Sequence, residues 1–134
     1  MNELQQSYQS KIEKCGYTVI HSSDLSPYAH AICNPVLQMV IFNDNIATTF
    51  DYVHEFEHIA LDHHGRLTSF NGNDERNPNE QQANKVALNE LATYHVKNDF
   101  PLNIETFINW YGVPNSLSQQ SEAALKEALT SINP

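Results

Sequence analysis

The sequence predicts an α+β domain, and three observations carry that reading. Short apolar, β-branched runs crowd the first third of the chain. Helical periodicity governs the chain beyond residue 46, and no repeat, low-complexity tract or interior linker divides the 134 residues. Strands first and helices after point to a short β-sheet packed against helices. A chain of this length can bury a core without covalent staples. We read one domain over residues 1–134, with a core at about 17–98 and a helical C-terminal tail at about 103–132.

Leu4, Tyr8, Ile12 and Cys15 recur at helical spacing and Gly16 follows as a stop, so the chain opens with a helix. Tyr17-Thr18-Val19-Ile20 predicts a strand, and residues 29–33 a second one between the turn pairs Ser26-Pro27 and Asn34-Pro35. Residues 36–42 form the clearest strand, apolar almost throughout and closed by Asn43-Asp44-Asn45. Ile46, Phe50, Val53, Phe56, Ile59 and Ala60 then trace one helical stripe, with Gly65 as its C-terminal stop. After a polar loop over 66–77 a second long helix runs over 78–97, with Ala83, Val86, Ala87, Glu90, Leu91 and Tyr94 toward the inside. Helices near 104–111 and 117–132 complete the chain, and Phe107, Trp110 and Tyr111 read as packing aromatics.

Composition narrows the function classes. Apolar residues are 40% and charged residues 17%, ordinary for a soluble globular protein. No stretch approaches the roughly 20 apolar residues that span a bilayer, and the polar start Met1-Asn2-Glu3-Leu4 has no secretory pattern. A cytoplasmic protein without membrane contact is expected. Cys15 and Cys33 lie far apart, as expected of two buried free thiols in a reducing compartment. The net charge of −9 argues against direct nucleic-acid binding, because phosphate contacts need a basic surface.

The segment with chemistry is His54-Glu55-Phe56-Glu57-His58. On a helix, residues four apart lie one turn up on the same face, so both imidazoles can converge on one ion, as tetrahedral zinc requires. Glu55, next to the first ligand, is the candidate general base and catalytic residue, positioned to take a proton from attacking water without binding the metal. The motif lies on an amphipathic helix directly after a strand, where a zincin carries it.

Two designs could supply a third ligand. His64 lies six residues beyond His58, as in the metzincin extension, but Leu61 occupies the position where that design needs Gly. Its Met-turn is also missing, since Met1 and Met39 both precede the motif, and the design is set aside. The other design takes Glu80 from the next helix, within Glu80-Gln81-Gln82-Ala83-Asn84. Asn84, one turn on, would accept a hydrogen bond from a ligand imidazole, His54 first. Asn77-Pro78-Asn79-Glu80 also reads as a helix cap with Glu80 in a capping box, the lesser alternative, and Asp74, Glu75 and Glu90 are further acidic candidates. His63 and Asp62 fit a solvated helix end, and His21 and His30 fit surface or turn positions. Tyr94 and His95 are weaker candidates for a donor to the tetrahedral intermediate.

With these residues in place, the chain resembles the ImmA/IrrE family of metallopeptidases, often encoded by phages and mobile elements. The likeness runs from Met39-Val40-Ile41-Phe42-Asn43 through His54–His58 to Glu80, Ala83, Asn84, Ala87 and Leu91. It extends over Phe107-Ile108-Asn109-Trp110-Tyr111-Gly112-Val113-Pro114. Departures are Glu57, where the family often has Gly, Val86, where a bulky aromatic is usual, and Glu90-Leu91-Ala92-Thr93. The resemblance implies a small zincin-like domain of the gluzincin type, with Zn2+ on His54, His58 and Glu80. It implies as partner and substrate a helix-turn-helix repressor, cleaved to induce phage or mobile-element genes. The competing expectation is an antirepressor that binds its partner through a zinc-stabilised fold without cutting it.

Overall fold

The computed structural model describes residues 1–61 and 77–132. It is α+β. In chain order come α1 (Glu3–Lys14), β1 (Thr18–Ser22), β2 (Ala31–Asn34), β3 (Met39–Asn43), α2 (Thr49–Ala60), α3 (Pro78–Lys97), α4 (Ile104–Tyr111), a 3-10 turn (Asn115–Leu117) and α5 (Ser118–Ile132). The sheet order is β1-β3-β2, with β1 parallel and β2 antiparallel to β3. None of the described helices is long and apolar enough to cross a membrane.

The third strand is shorter than its apolar run predicts. Asn34 Oδ1 accepts hydrogen bonds from the amides of Val36 (3.0 Å) and Leu37 (3.1 Å), and Gln38 has φ 51°. Residues 35–38 therefore form the β2–β3 turn, and Val36 and Leu37 are exposed. The Asx turn competes successfully with the ladder because Pro35 has no N–H to give it. The helix predicted from Ile46 starts at Thr49 because Thr48 and Asp51 form a capping box.

One hydrophobic cluster joins Tyr8 and Ile12 of α1, Val40 and Phe42 of β3, Val53 of α2, Leu88 and Leu91 of α3, Phe107 of α4 and Leu125 of α5. The C-terminal helices thus share the core. Because α3 packs against both α2 and α5, its buried residues cover two faces: Ala83, Ala87 and Leu91, but also Leu88, Ala92 and His95. Tyr94, expected inside, is partly exposed, and half of Trp110 faces solvent while its ring meets those of Phe100 and His95. Cys33 is buried, but Cys15, at the cap of α1, is exposed.

Several contacts fix the entry of α2. The buried Asn43 donates through Nδ2 to the carbonyls of Ala29 (2.9 Å) and Ser26 (3.2 Å) and accepts from the Asn45 amide (3.0 Å). It therefore ties the β3 exit to the loop before β2. Phe42 stacks on Tyr52 with ring centroids 3.9 Å apart. Asp51 Oδ2 accepts from the Thr48 amide at 2.8 Å and lies 2.7 Å from His30 Nδ1. The Thr48 hydroxyl lies 3.1 Å from both Asp51 Oδ2 and the carbonyl of Gly112. Gly112 ends α4 in the left-handed region (φ 66°), and a Cβ there would overlap the Thr48 side chain.

This junction can be probed in two ways. Gly112→Ala combines left-handed strain with a steric overlap, and should lower the unfolding free energy by at least about 2 kcal/mol in denaturant titrations. His30 is held above its ordinary pKa chiefly by its hydrogen bond to Asp51, which outweighs the opposing effect of burial. A raised folded-state pKa stabilises fully below the unfolded value of about 6.5 and less as pH rises through the folded value. The melting-temperature advantage of wild type over His30→Ala should therefore be largest at mildly acidic pH and narrow toward alkaline pH.

Candidate metal centre

Helix α2 carries His54 and His58 on one face, and both are 2% exposed. Helix α3 brings Glu80 against them, also buried. His54 Nε2 lies 2.8 Å and His58 Nε2 2.9 Å from the same oxygen, Glu80 Oε2, and the two ring nitrogens are 3.1 Å apart. Three donor atoms thus surround one point. Two imidazole nitrogens and a carboxylate oxygen are the protein ligands of one class of catalytic zinc site. A tetrahedron with arms of about 2.0–2.1 Å has edges of about 3.3–3.4 Å, so a small outward relaxation of this triangle admits the ion. The residues fit a metal, and this is the one such His/Cys/Asp/Glu cluster among the described residues.

The two sequence readings of Glu80 separate here. Asn77 caps α3, its Oδ1 accepting from the Asn79 (2.8 Å) and Glu80 (3.4 Å) amides, and Pro78 occupies the first turn. The cap thus leaves the Glu80 carboxylate to the two imidazoles. Burial alone would raise the Glu80 pKa, but hydrogen bonds and charge from His54 and His58 hold it well below the ordinary carboxylate range. For His54, burial opposes the charged form, yet the Glu80 hydrogen bond and the charges of Glu55, Glu80 and Asp51 prevail and raise its pKa. The pocket's field therefore favours a cation, which proton and metal would contest. The contribution of Asp51 is absent from the sequence reading, although Thr48-x-x-Asp51 is a readable capping pattern.

Glu55 is buried at 6% exposure, with Oε2 3.8 Å from His54 Nε2. It flanks the triangle without completing it. Glu57 lies on the other flank and belongs to a different cluster. Burial first, then the hydrogen bond and charge of Glu90, push its pKa up to about 8 against the opposing effect of Lys11, so its carboxyl is largely protonated at neutral pH. Glu90 also accepts from the Tyr8 hydroxyl at 2.7 Å. Ten residues from Glu80 on the same helix, Glu90 is displaced by about 15 Å and is excluded as the third ligand. No sequence signal points to this trio, because it joins three helices.

Asn84 is buried beside the site, but the contact expected of it is not made. Its Oδ1 accepts no hydrogen bond, and His54 Nδ1 has no partner either. An unpaired buried polar atom costs about 1–3 kcal/mol, so both atoms retain capacity for a partner. Tyr94 and His95 lie fourteen and fifteen residues beyond Glu80 on α3, about 21–22 Å along the axis, too far to assist chemistry there. His95 instead joins α3 to α4: Nδ1 is 2.8 Å from the Tyr111 hydroxyl and Nε2 2.7 Å from the Pro101 carbonyl. His21 is bonded to Asp44 (2.8 Å) and Gln9 (2.9 Å) near the surface. Asp62, His63, His64, Gly65, Asp74 and Glu75 lie outside the described residues.

No family model, curated protein or solved structure matches this chain. The candidate metal centre therefore stands on its donor atoms, and they are directly testable. His58→Ala should lower divalent-metal affinity by more than about 100-fold in chelator competition, since it removes a ligand rather than a ligand's support. Glu80→Gln should weaken binding severely, while Glu90→Gln should leave affinity near wild type. Equal effects of Glu80→Gln and Glu90→Gln would remove Glu80 from the ligand set.

Proposed function

We propose that the chain is a zinc metallopeptidase of gluzincin type that cleaves a helix-turn-helix repressor. The observation that carries the enzymatic reading is Glu55: a buried carboxylate 3.8 Å from His54 Nε2 yet outside the three-atom cluster. A metal held only for stability needs no such neighbour, whereas hydrolysis needs a proton acceptor beside the ion. A zinc ion there would polarise the scissile carbonyl and increase the acidity of water.

The chain's own residues supply the rest. His54, His58 and Glu80 bind and orient, and their burial excludes bulk solvent from the donor atoms. Glu55 takes a proton from the water as its oxygen bonds to the carbonyl carbon. When the carbon–nitrogen bond breaks, the same carboxyl returns that proton to the leaving amine. One water is consumed and an acid and an amine result. The repressor as substrate, and a cytoplasmic setting, are supported by the motif resemblance around Asn43, His54–His58 and Glu80–Leu91.

Glu55→Gln keeps the size of the side chain and all three ligands. It should retain metal and melting temperature but slow repressor cleavage by about 10²–10⁴-fold, the usual contribution of general acid–base catalysis. Induction of the target genes by this variant, with the repressor intact by mass spectrometry, would replace the peptidase with the non-cleaving antirepressor.

A further inference from the structure

We propose that the groove between α3 and α5 is a subsite of the metal centre that holds an extended peptide segment of the substrate. The inference rests on the peptidase reading and adds where the chain would grip its substrate away from the scissile bond. The groove has a volume of about 340 Å³, within the range of ligand pockets. Neither His54, His58 nor Glu80 lines it; the link to them runs along α3, where Asn84, which lines the groove, lies one turn beyond Glu80 on the same face. The rise from Glu80 to Asn84 is about 6 Å.

Its lining suits a peptide better than other ligands. Gln81, Asn84, Asn89 and Gln120 present carboxamides, which both donate and accept, as the alternating N–H and C=O groups of an extended backbone demand. Leu88, Leu117 and Ala124 give an apolar floor for a side chain. Lys85 and Glu127 bring one charge of each sign, which disfavours a polyanion and accommodates an uncharged or mixed-charge segment.

Asn84 supplies the independent observation. It is 96% buried, being 4% exposed, and its Oδ1 has no hydrogen-bond partner. A half-turn of its carboxamide exchanges oxygen and nitrogen without breaking a bond at Oδ1. A peptide entering the groove would give this side chain the partner it lacks.

The test uses zinc-loaded Glu55→Gln protein, labelled with nitrogen-15, and the blocked peptide N-acetyl-Leu-Gln-Leu-amide as probe. Saturable shifts of the Asn84 and Gln120 side-chain amides are expected. Ala123→Trp fills the groove from an exposed position of α5 and should weaken binding at least about tenfold with zinc content unchanged. Gln120→Leu, which removes a carboxamide without adding bulk, should weaken it in the same direction. Shifts that are absent, confined to other parts of the chain, or unaffected by both variants would overturn the subsite. No turnover is needed, so binding without any cleavage by the Glu55 protein would count against the peptidase reading alone. Undiminished repressor cleavage by Ala123→Trp would count against the groove alone.

Discussion

The junction of α2 and α3 turns on one carboxylate oxygen shared by two imidazole nitrogens. Glu80 Oε2 lies within 2.9 Å of both His54 and His58 Nε2, and all three side chains are nearly inaccessible to solvent. Burying a carboxylate is expensive unless it is neutralised and hydrogen-bonded. Here the compensation is local and directional, so the two helices are held in one rotation and one register. Much of the surrounding fold serves that registration. Thr48 and Asp51 fix where α2 begins, Asn43 fixes how the chain enters it, and Asn77 with Pro78 fixes the start of α3.

A second buried cluster lies on the other flank of α2 and obeys the opposite electrostatics. Glu57 and Glu80 are the same kind of side chain and both are buried, yet one is pushed up in pKa and the other down. Neighbours decide the sign. Glu80 meets two groups able to carry positive charge, whereas Glu57 meets another carboxylate, with Lys11 opposing only in part. A proton shared across α2 and α3 lets two acids sit together, and the Tyr8 hydroxyl ties that pair to α1. The helix layer thus contains one site that attracts a cation and one that retains a proton.

The sequence reveals what is local or periodic. Element types and order follow from spacing, and Gly16 and Asn77 are readable as boundaries. Glu80 can be named because a helix-start pattern and a metal-ligand pattern coincide on it, but only the geometry separates them. Sequence and structure diverge where a side chain competes with the backbone. Asn34 turns a strand-like run into a hairpin turn, and the Thr48–Asp51 box delays α2 by three residues relative to its apolar stripe. Single-face periodicity also fails for α3, because a helix between two neighbours has no single inner face; Tyr94 departs from its expected burial for that reason. The Glu57–Glu90–Tyr8 trio is invisible in the sequence because its members are separated widely and share no spacing rule.

On the proposed peptidase reading, the two glutamates inside the motif explain how a helix can offer a base without losing a ligand. At about 100° per residue, Glu55 projects to one side of the two-histidine face and Glu57 to the other. The helix alone does not distinguish them. Packing does: α1 and α3 cover the Glu57 side, where burial and then Glu90 raise its proton affinity and its carboxyl is engaged with Glu90 instead of the donor triangle. The Glu55 side remains next to His54 Nε2 at 3.8 Å. Turning α2 by one residue, about 100°, would carry both glutamates out of these environments and swing both imidazoles away from Glu80. The contacts that bring the three donor atoms together are therefore the same contacts that leave Glu55, and not Glu57, beside them.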